Sequence, residues 1–416
     1  MSLQEDRPQE RGRGADYGGL GWGRARMRQD VVDCADALTR EKIAPRAPMY
    51  DREGKNPVES WGDLRREGYL GCTVPETYGG MGLDMATYIG VIRTIARGCA
   101  STAMTVHMHS TVMRFIEALG TEAQKRRYFA EVVERGKMFG SWGSEPAVSL
   151  SRTFTMETVV RAADGGWVVD GVKHFCTMAL GASYYMVWCA LDGSGDMANA
   201  LLQVLVPAES AGISTDGKWD TLGMRATFSP TVTLSNVRVS QDSTLGKPGS
   251  ATGVGVVESF ALGYAAVYVG IAEAAFEFAA DYVKKRVVKP ENVPVANDPG
   301  IQRQIGDLEA RLDAARLVLH DSASRWEAAD VARRGHLANR AKYLTTEIGL
   351  HVTSLALQIT GGRGAYKAYP VERAFRDMRT ASLMPPTMDR MVEGMGKLVL
   401  GLGGGMFEFG AGKTNG

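Results

Sequence analysis

The chain has 416 residues, a formal net charge of +1, 44% hydrophobic residues and 23% charged residues. That length allows one large multi-lobed unit or two to three domains around a sizeable core. A charge so close to zero, with no basic stripe, gives no reason to expect nucleic acid or an anionic membrane as partner.

Residues 1–22 are mostly polar, rich in Arg and Gly, and read as a disordered lead-in without a signal pattern. An N-terminal α domain is expected over 23–138. Val31, Val32, Ala35 and Leu38 step at helical spacing, and Pro45 is expected to end that helix. Trp61 to Gly68, Met85 to Ala96, Thr102 to Leu119 and Ala123 to Arg135 read as further helices. The Gly/Pro loop Gly71 to Gly82 interrupts them.

From 139 to 247 the pattern becomes β. Thr158–Arg161, Trp167–Val172, Tyr184–Ala190, Leu201–Pro207 and Thr231–Val239 are short β-rich runs between turn residues, as in a small barrel or sandwich. From 248 to 416 helical spacing returns at Phe260–Lys285, at Ile301 to Leu319, at Ala338–Thr360 and at Val371–Thr380. Long helices with modest loops predict a four-helix bundle, so the fold class is α+β in three parts. The longest apolar run, Phe260 to Ala272, is too short to span a bilayer. The five cysteines, Cys34, Cys72, Cys99, Cys176 and Cys189, form no CxxC pair. They read as reduced thiols of a cytoplasmic protein with no metal site.

Five separated segments carry chemistry. They are Val74-Pro75-Glu76-Thr77-Tyr78-Gly79-Gly80-Met81-Gly82, Gly143-Ser144-Glu145-Pro146, Asp170 to Thr177, Leu222-Gly223-Met224-Arg225 followed by Val232 to Val239, and Leu357 to Asp377. In that order and on that layout they resemble the acyl-CoA dehydrogenase superfamily of flavoproteins. The resemblance implies FAD, with reduced FMN or FAD supplied by a reductase as the alternative. It implies that Ser144 and Thr177 bond the flavin ring and that Phe175 packs against it. Arg286 is implied at the pyrophosphate. Gln358, Gly361, Gly362 and Gly364 are implied as FAD contacts across a subunit interface, hence a homo-oligomer, in this family usually a dimer of dimers. An electron-transfer flavoprotein or a flavin reductase is the implied redox partner.

The chain departs from the family at the catalytic base. The family's Glu stands eight residues after the motif's Asp, and here that position is Pro385. Proline cannot take a proton. The alternative base position, on the first bundle helix, falls at Phe260. Glu258 is the nearest carboxylate, about 200° around the helix from it, and reads on its own as a solvated helix-start charge. Asp389 and Glu393 are further candidates. His107 and His109, at i and i+2, do not share a helix face and make a poor metal pair. After Pro146 the family's Gly-Ala-Gly-Ser-Asp is replaced by Ala147-Val148-Ser149-Leu150-Ser151.

Three functions follow. The first is FAD-dependent oxidation of an acyl thioester, on CoA or a carrier protein, with a non-standard or missing base. The second is a reduced-flavin-dependent monooxygenase acting on a small molecule, which needs no such base. The third is a non-catalytic accessory flavoprotein subunit.

Overall fold

A computed structural model describes residues 27–148, 154–290 and 292–402. The expected lead-in at 1–22 and part of the altered segment after Pro146 lie outside the described residues. Helices α1 (Gln29–Leu38) and α2 (Ala44–Glu53) are joined by a π turn at Thr39–Ile43, so the chain stays helical past Pro45. Pro45 lies in the first turn of α2, where the missing N–H would have no helical partner in any case. The sequence expectation of a stop there is therefore corrected. Next come α3 (Val58–Arg66), α4 (Met85–Gly98), α5 (Ala100–Leu119) and α6 (Glu122–Val133). Asp84 caps α4 through Thr87 N, and Thr121 with Gln124 forms a capping box on α6.

The middle part is one eight-stranded sheet. Its strands are β1 (Phe139–Trp142), β2 (Val159–Ala163), β3 (Gly166–Lys173), β4 (Tyr184–Leu191), β5 (Leu201–Pro207), β6 (Ile213–Thr215), β7 (Val232–Ser240) and β8 (Thr244–Leu245), with a short helix α7 (Met197–Ala200) before β5. The order is β6-β7-β3-β2-β4-β5-β8, and β1 pairs in parallel with β4. One face of β1 and β4 meets the N-terminal helices: Phe139 stacks on Tyr184, Tyr128 of α6 meets Tyr184 edge-on, and Phe115 of α5 meets Trp188 edge-on. The other face stacks Trp142 on Tyr185.

The bundle contains α8 (Glu258–Lys285), α9 (Pro299–Ser324), α10 (Val331–Thr360) and α11 (Pro370–Ala381), followed by α12 (Met388–Val399). Helix α10 starts seven residues before the apolar spacing becomes legible, because Asp330 caps it through Arg333 N ahead of a polar first turn. Helix α8 is the central element, packed against α4, α5, α9, α10 and α11. It is long and apolar enough to cross a membrane by length and composition, which corrects the expectation from the shorter run Phe260 to Ala272. In the fold 83% of its apolar window is buried in the bundle.

Two sequence motifs join the three parts. Arg376 of α11 grips Asp51 of α2 with two nitrogens, at 2.6 and 3.0 Å, and also donates to Glu372 and to Leu222 O. Arg225 donates to Asp51 O, and Met224 N donates to Asp377 Oδ1 at 2.6 Å. Gly223 lies so close to α11 that a Cβ there would stand 2.3 Å from Arg376 O. Only glycine allows that approach. Leu222 to Arg225 and Glu372 to Asp377 thus act as a clamp between domains.

Candidate active site

Glu145 organises the turn that carries Ser144. Its carboxylate accepts from Lys173 Nζ at 2.7 Å, Thr158 N at 2.8 Å and Glu157 N at 2.6 Å. Both side chains of this ion pair are buried. Ser144 O accepts from His174 N at 2.8 Å, which fixes the Ser144 turn against the end of β3. Phe175 follows directly, and Thr177 N donates back to Phe175 O. The sequence-predicted residues Ser144, Phe175 and Thr177 therefore lie in one small cluster.

That cluster has the features of a surface shaped for a ligand. Phe175 is 56% exposed and sits at φ 55°, with Met178 and Leu180 also at positive φ. A bulky residue there costs on the order of 1–3 kcal/mol, and such strain concentrates at functional sites. Thr177 Oγ1 accepts from Ser229 Oγ at 3.2 Å, which leaves the Thr177 hydroxyl proton for another acceptor. A flat ring laid on Phe175 with a polar edge at Thr177 fits these groups.

Arg286, Gln358, Gly361, Gly362 and Gly364 gather elsewhere. Arg286 ends α8, and Gln358 to Gly364 end α10. Tyr369, just beyond, touches Phe278 and Tyr282 of α8, so these residues share one end of the bundle. Gln358, Gly361 and Gly362 are exposed, and a Cβ on either of those glycines would meet open space. Gly364 is buried against Leu357. Tyr268 holds Ala381 O beside the 384–386 loop at 2.6 Å. From Tyr268 to Arg286 is about 27 Å along the α8 axis. Arg286 therefore lies at the far end of α8 from the 384–386 loop.

The place of the expected base is built without a carboxylate. Lys342 of α10, 1% exposed, donates to Met384 O at 2.6 Å and to Pro386 O at 2.7 Å, so it grips the turn on both sides of Pro385. Its ammonium also stands 5.3 Å from the Tyr264 ring centre. Burial pushes the Lys342 pKa down to about 7. Phe260 packs toward Phe115 and His107 of α5.

Glu258 departs from its sequence reading as a solvated charge. It is 3% exposed, its Oε2 has no partner among the described residues, and it lies beside Gly335 of α10. Its direction is opposite to that of Phe260. Burial pushes its pKa up to about 6, against the pull of its own backbone N–H and of Arg334. A raised carboxyl pKa stabilises the fold fully below the unfolded value of about 4.3, and that contribution is lost as pH rises through 6. Glu258→Gln is therefore expected to gain stability over the parent between pH 5 and pH 8, by up to about 2 kcal/mol at the upper end. It should also leave turnover intact. Urea unfolding at the two pH values checks the first point, and loss of turnover would restore Glu258 as the base. Asp389 and Glu393 are exposed, and Glu393 pairs with Arg390 and Lys397.

Both histidines are core groups. His107 accepts from Tyr88 at Nδ1 and donates from Nε2 to Phe260 O; His109 accepts from Phe139 N at Nδ1 and donates to Leu70 O. Burial pushes both pKa values down to about 4, so they stay neutral. A groove of about 460 Å³ opens on the Trp142–Tyr185 face of the sheet, but neither Ser144, Phe175 nor Thr177 lines it. The sequence reading missed Lys342. Its visible signal is a lysine on the apolar face of a helix.

Three family profiles match in chain order: acyl-CoA dehydrogenase, N-terminal domain, over 26–135; middle domain, over 140–237; and C-terminal domain, over 262–384. A dibenzothiophene monooxygenase of Rhodococcus erythropolis is 30% identical over 389 residues, covering 88% of this chain and 92% of that protein. An acyl-CoA dehydrogenase of Bacillus subtilis (strain 168) is 30% identical over 369 residues, covering 87% and 93%. Among solved structures, TdsC from Paenibacillus sp. A11-2 with FMN and indole superposes with a TM-score of 0.81 at 25% identity, covering 91% of this chain and all of that one.

Proposed function

The chain belongs to the acyl-CoA dehydrogenase family, and we propose that this protein works in it as a reduced-flavin-dependent monooxygenase. The observation that carries this reading is the 384–386 turn. Where the resemblance calls for a carboxylate, Lys342 holds a proline turn by the carbonyls on both sides of Pro385. Glu258 lies beside Gly335 of α10, and on this reading it does not act as the base. The likeness to a dibenzothiophene monooxygenase and to an FMN-bound structure supports the same class.

Ser144, Phe175 and Thr177 would hold the flavin ring. Arg286, Gln358 and the Gly361–Gly364 turn would hold the phosphate and nucleotide side from a second copy, as the resemblance implies. That arrangement makes the protein a homo-oligomer, and a flavin reductase its electron source. When bound in reduced form, the flavin supplies the two electrons that let one atom of O2 enter the substrate while the other leaves as water. The residues of the chain would position the ring.

Oxidation of an acyl thioester is the second reading, favoured by the 30% identity to an acyl-CoA dehydrogenase. An anaerobic titration of the flavin-loaded protein with a panel of acyl-CoA esters separates the two. The flavin absorbance is expected to persist. Rapid bleaching by any ester would reinstate the thioester reading.

A further inference from the structure

We propose that Lys342 is a positioning residue of the candidate site: its side-chain nitrogen, buried without a counter-ion, supplies the donors that hold the 384–386 turn, and its protonation loosens that hold. The inference deepens the reading above and rests on it for its catalytic meaning, because this turn stands in place of the family's carboxylate.

The need for an outside donor is written in the sequence. Pro385 and Pro386 have no backbone N–H, so two successive positions of the turn cannot donate. Before them the backbone closes on itself, with Leu383 N donating to Thr380 O and Met384 N to Ala381 O. After them Met391 N donates to Thr387 O as the next helix starts. The carbonyls of Met384 and Pro386 find their donor on a different helix, in Lys342 Nζ at 2.6 and 2.7 Å. Pro385, between them, is exposed. The shape of the turn therefore bears on whatever binds against it.

The nitrogen itself is out of water, with Lys342 1% exposed. The groups that face it from α8, Tyr264 and Tyr268, are phenols that burial keeps neutral, and Tyr268 donates to Ala381 O. The nearby carboxylates are engaged or distant. Glu258 lies beside Gly335, about two turns of α10 away. Asp377 of α11 accepts from Met224 N, and Asp321 of α9 pairs with Arg340. On α12, Glu393 pairs with Arg390 and Lys397, and Asp389 is exposed.

A buried ammonium with no counter-charge sheds its proton readily, and burial brings the Lys342 pKa down to about 7. The neutral amine keeps two N–H groups, as many as the two carbonyls require. When the turn opens and the lysine reaches water, its pKa returns to about 10.4. Opening therefore takes up a proton, and it becomes rarer as pH rises above 7.

Hydrogen exchange of the purified full chain tests this without flavin or substrate. It is read by mass spectrometry on residues 381–391 and corrected for the intrinsic effect of pH on exchange. In wild type the segment should be about tenfold or more better protected at pH 8.5 than at pH 6. Lys342→Met keeps the shape and removes the donors. It should be less protected than wild type at pH 8.5 and show no pH step. Residues 273–282 of α8 should show no step in either protein. Lys342→Gln, neutral at both pH values, repeats the experiment if the methionine variant folds poorly. Equal protection of wild type at the two pH values, or a step that survives substitution of Lys342, would overturn the proposal. An exchange step that depends on Lys342, with no oxygenation of any substrate, would leave this role standing and remove the monooxygenase reading alone.

Discussion

Glu145→Ala is expected to cost about 3–5 kcal/mol of folding free energy, because it leaves Lys173 as an unpaired buried cation. Burial acts to raise the Glu145 pKa, but the Lys173 ammonium and the Thr158 and Glu157 N–H groups outweigh it and hold the carboxyl below the ordinary range. Lys173→Met should cost a similar amount for the converse reason. The double variant Glu145→Leu with Lys173→Met should recover much of the loss, since an apolar pair of similar volume can replace a buried ion pair. The single variants should also lose flavin affinity, because Glu145 anchors the turn that presents Ser144. The pH dependence has a definite sign. A depressed carboxyl pKa contributes stability above its unfolded value, and that contribution disappears as pH falls through the folded value. Urea midpoints for the four proteins decide the matter, and a loss under 1 kcal/mol in Glu145→Ala would mean that water reaches the pair.

Phe175→Gly should separate stability from binding. At φ 55° glycine is unstrained where phenylalanine is not, so the ligand-free variant should melt higher than wild type. Its affinity for flavin should fall about tenfold or more as the exposed ring is lost. Phe175→Tyr should retain affinity. Thr177→Val, which removes the free hydroxyl proton while keeping the shape, should weaken flavin binding without raising the melting temperature. Fluorescence titration with FMN and FAD measures all three. If Phe175→Gly binds flavin as wild type does, the ring lies elsewhere.

Much of this architecture is legible in the sequence alone. The change from helical to β spacing near Lys137 and back near Gly255 reflects simple burial periodicity. The five motif segments depend on local backbone needs, such as the close approach at Gly223. Other features depend on residues far apart in the chain. The burial of Glu258 depends on Gly335 and Arg334, and the grip of Lys342 depends on carbonyls more than 40 residues later. No local pattern announces such pairings. Pro45 misled because its effect depends on whether it falls in a first turn or an interior one. Gln358 and the Gly361–Gly362 turn are easy to name from the motif but are exposed at one end of the bundle.

The most direct measurement is turnover under oxygen-18 gas with chemically reduced flavin and a panel of small-molecule substrates, read by mass spectrometry. The account predicts one heavy oxygen atom in the product and none without the protein. Product that carries oxygen only from water, or an acyl-CoA ester converted to its enoyl form with no oxygen uptake, would contradict it.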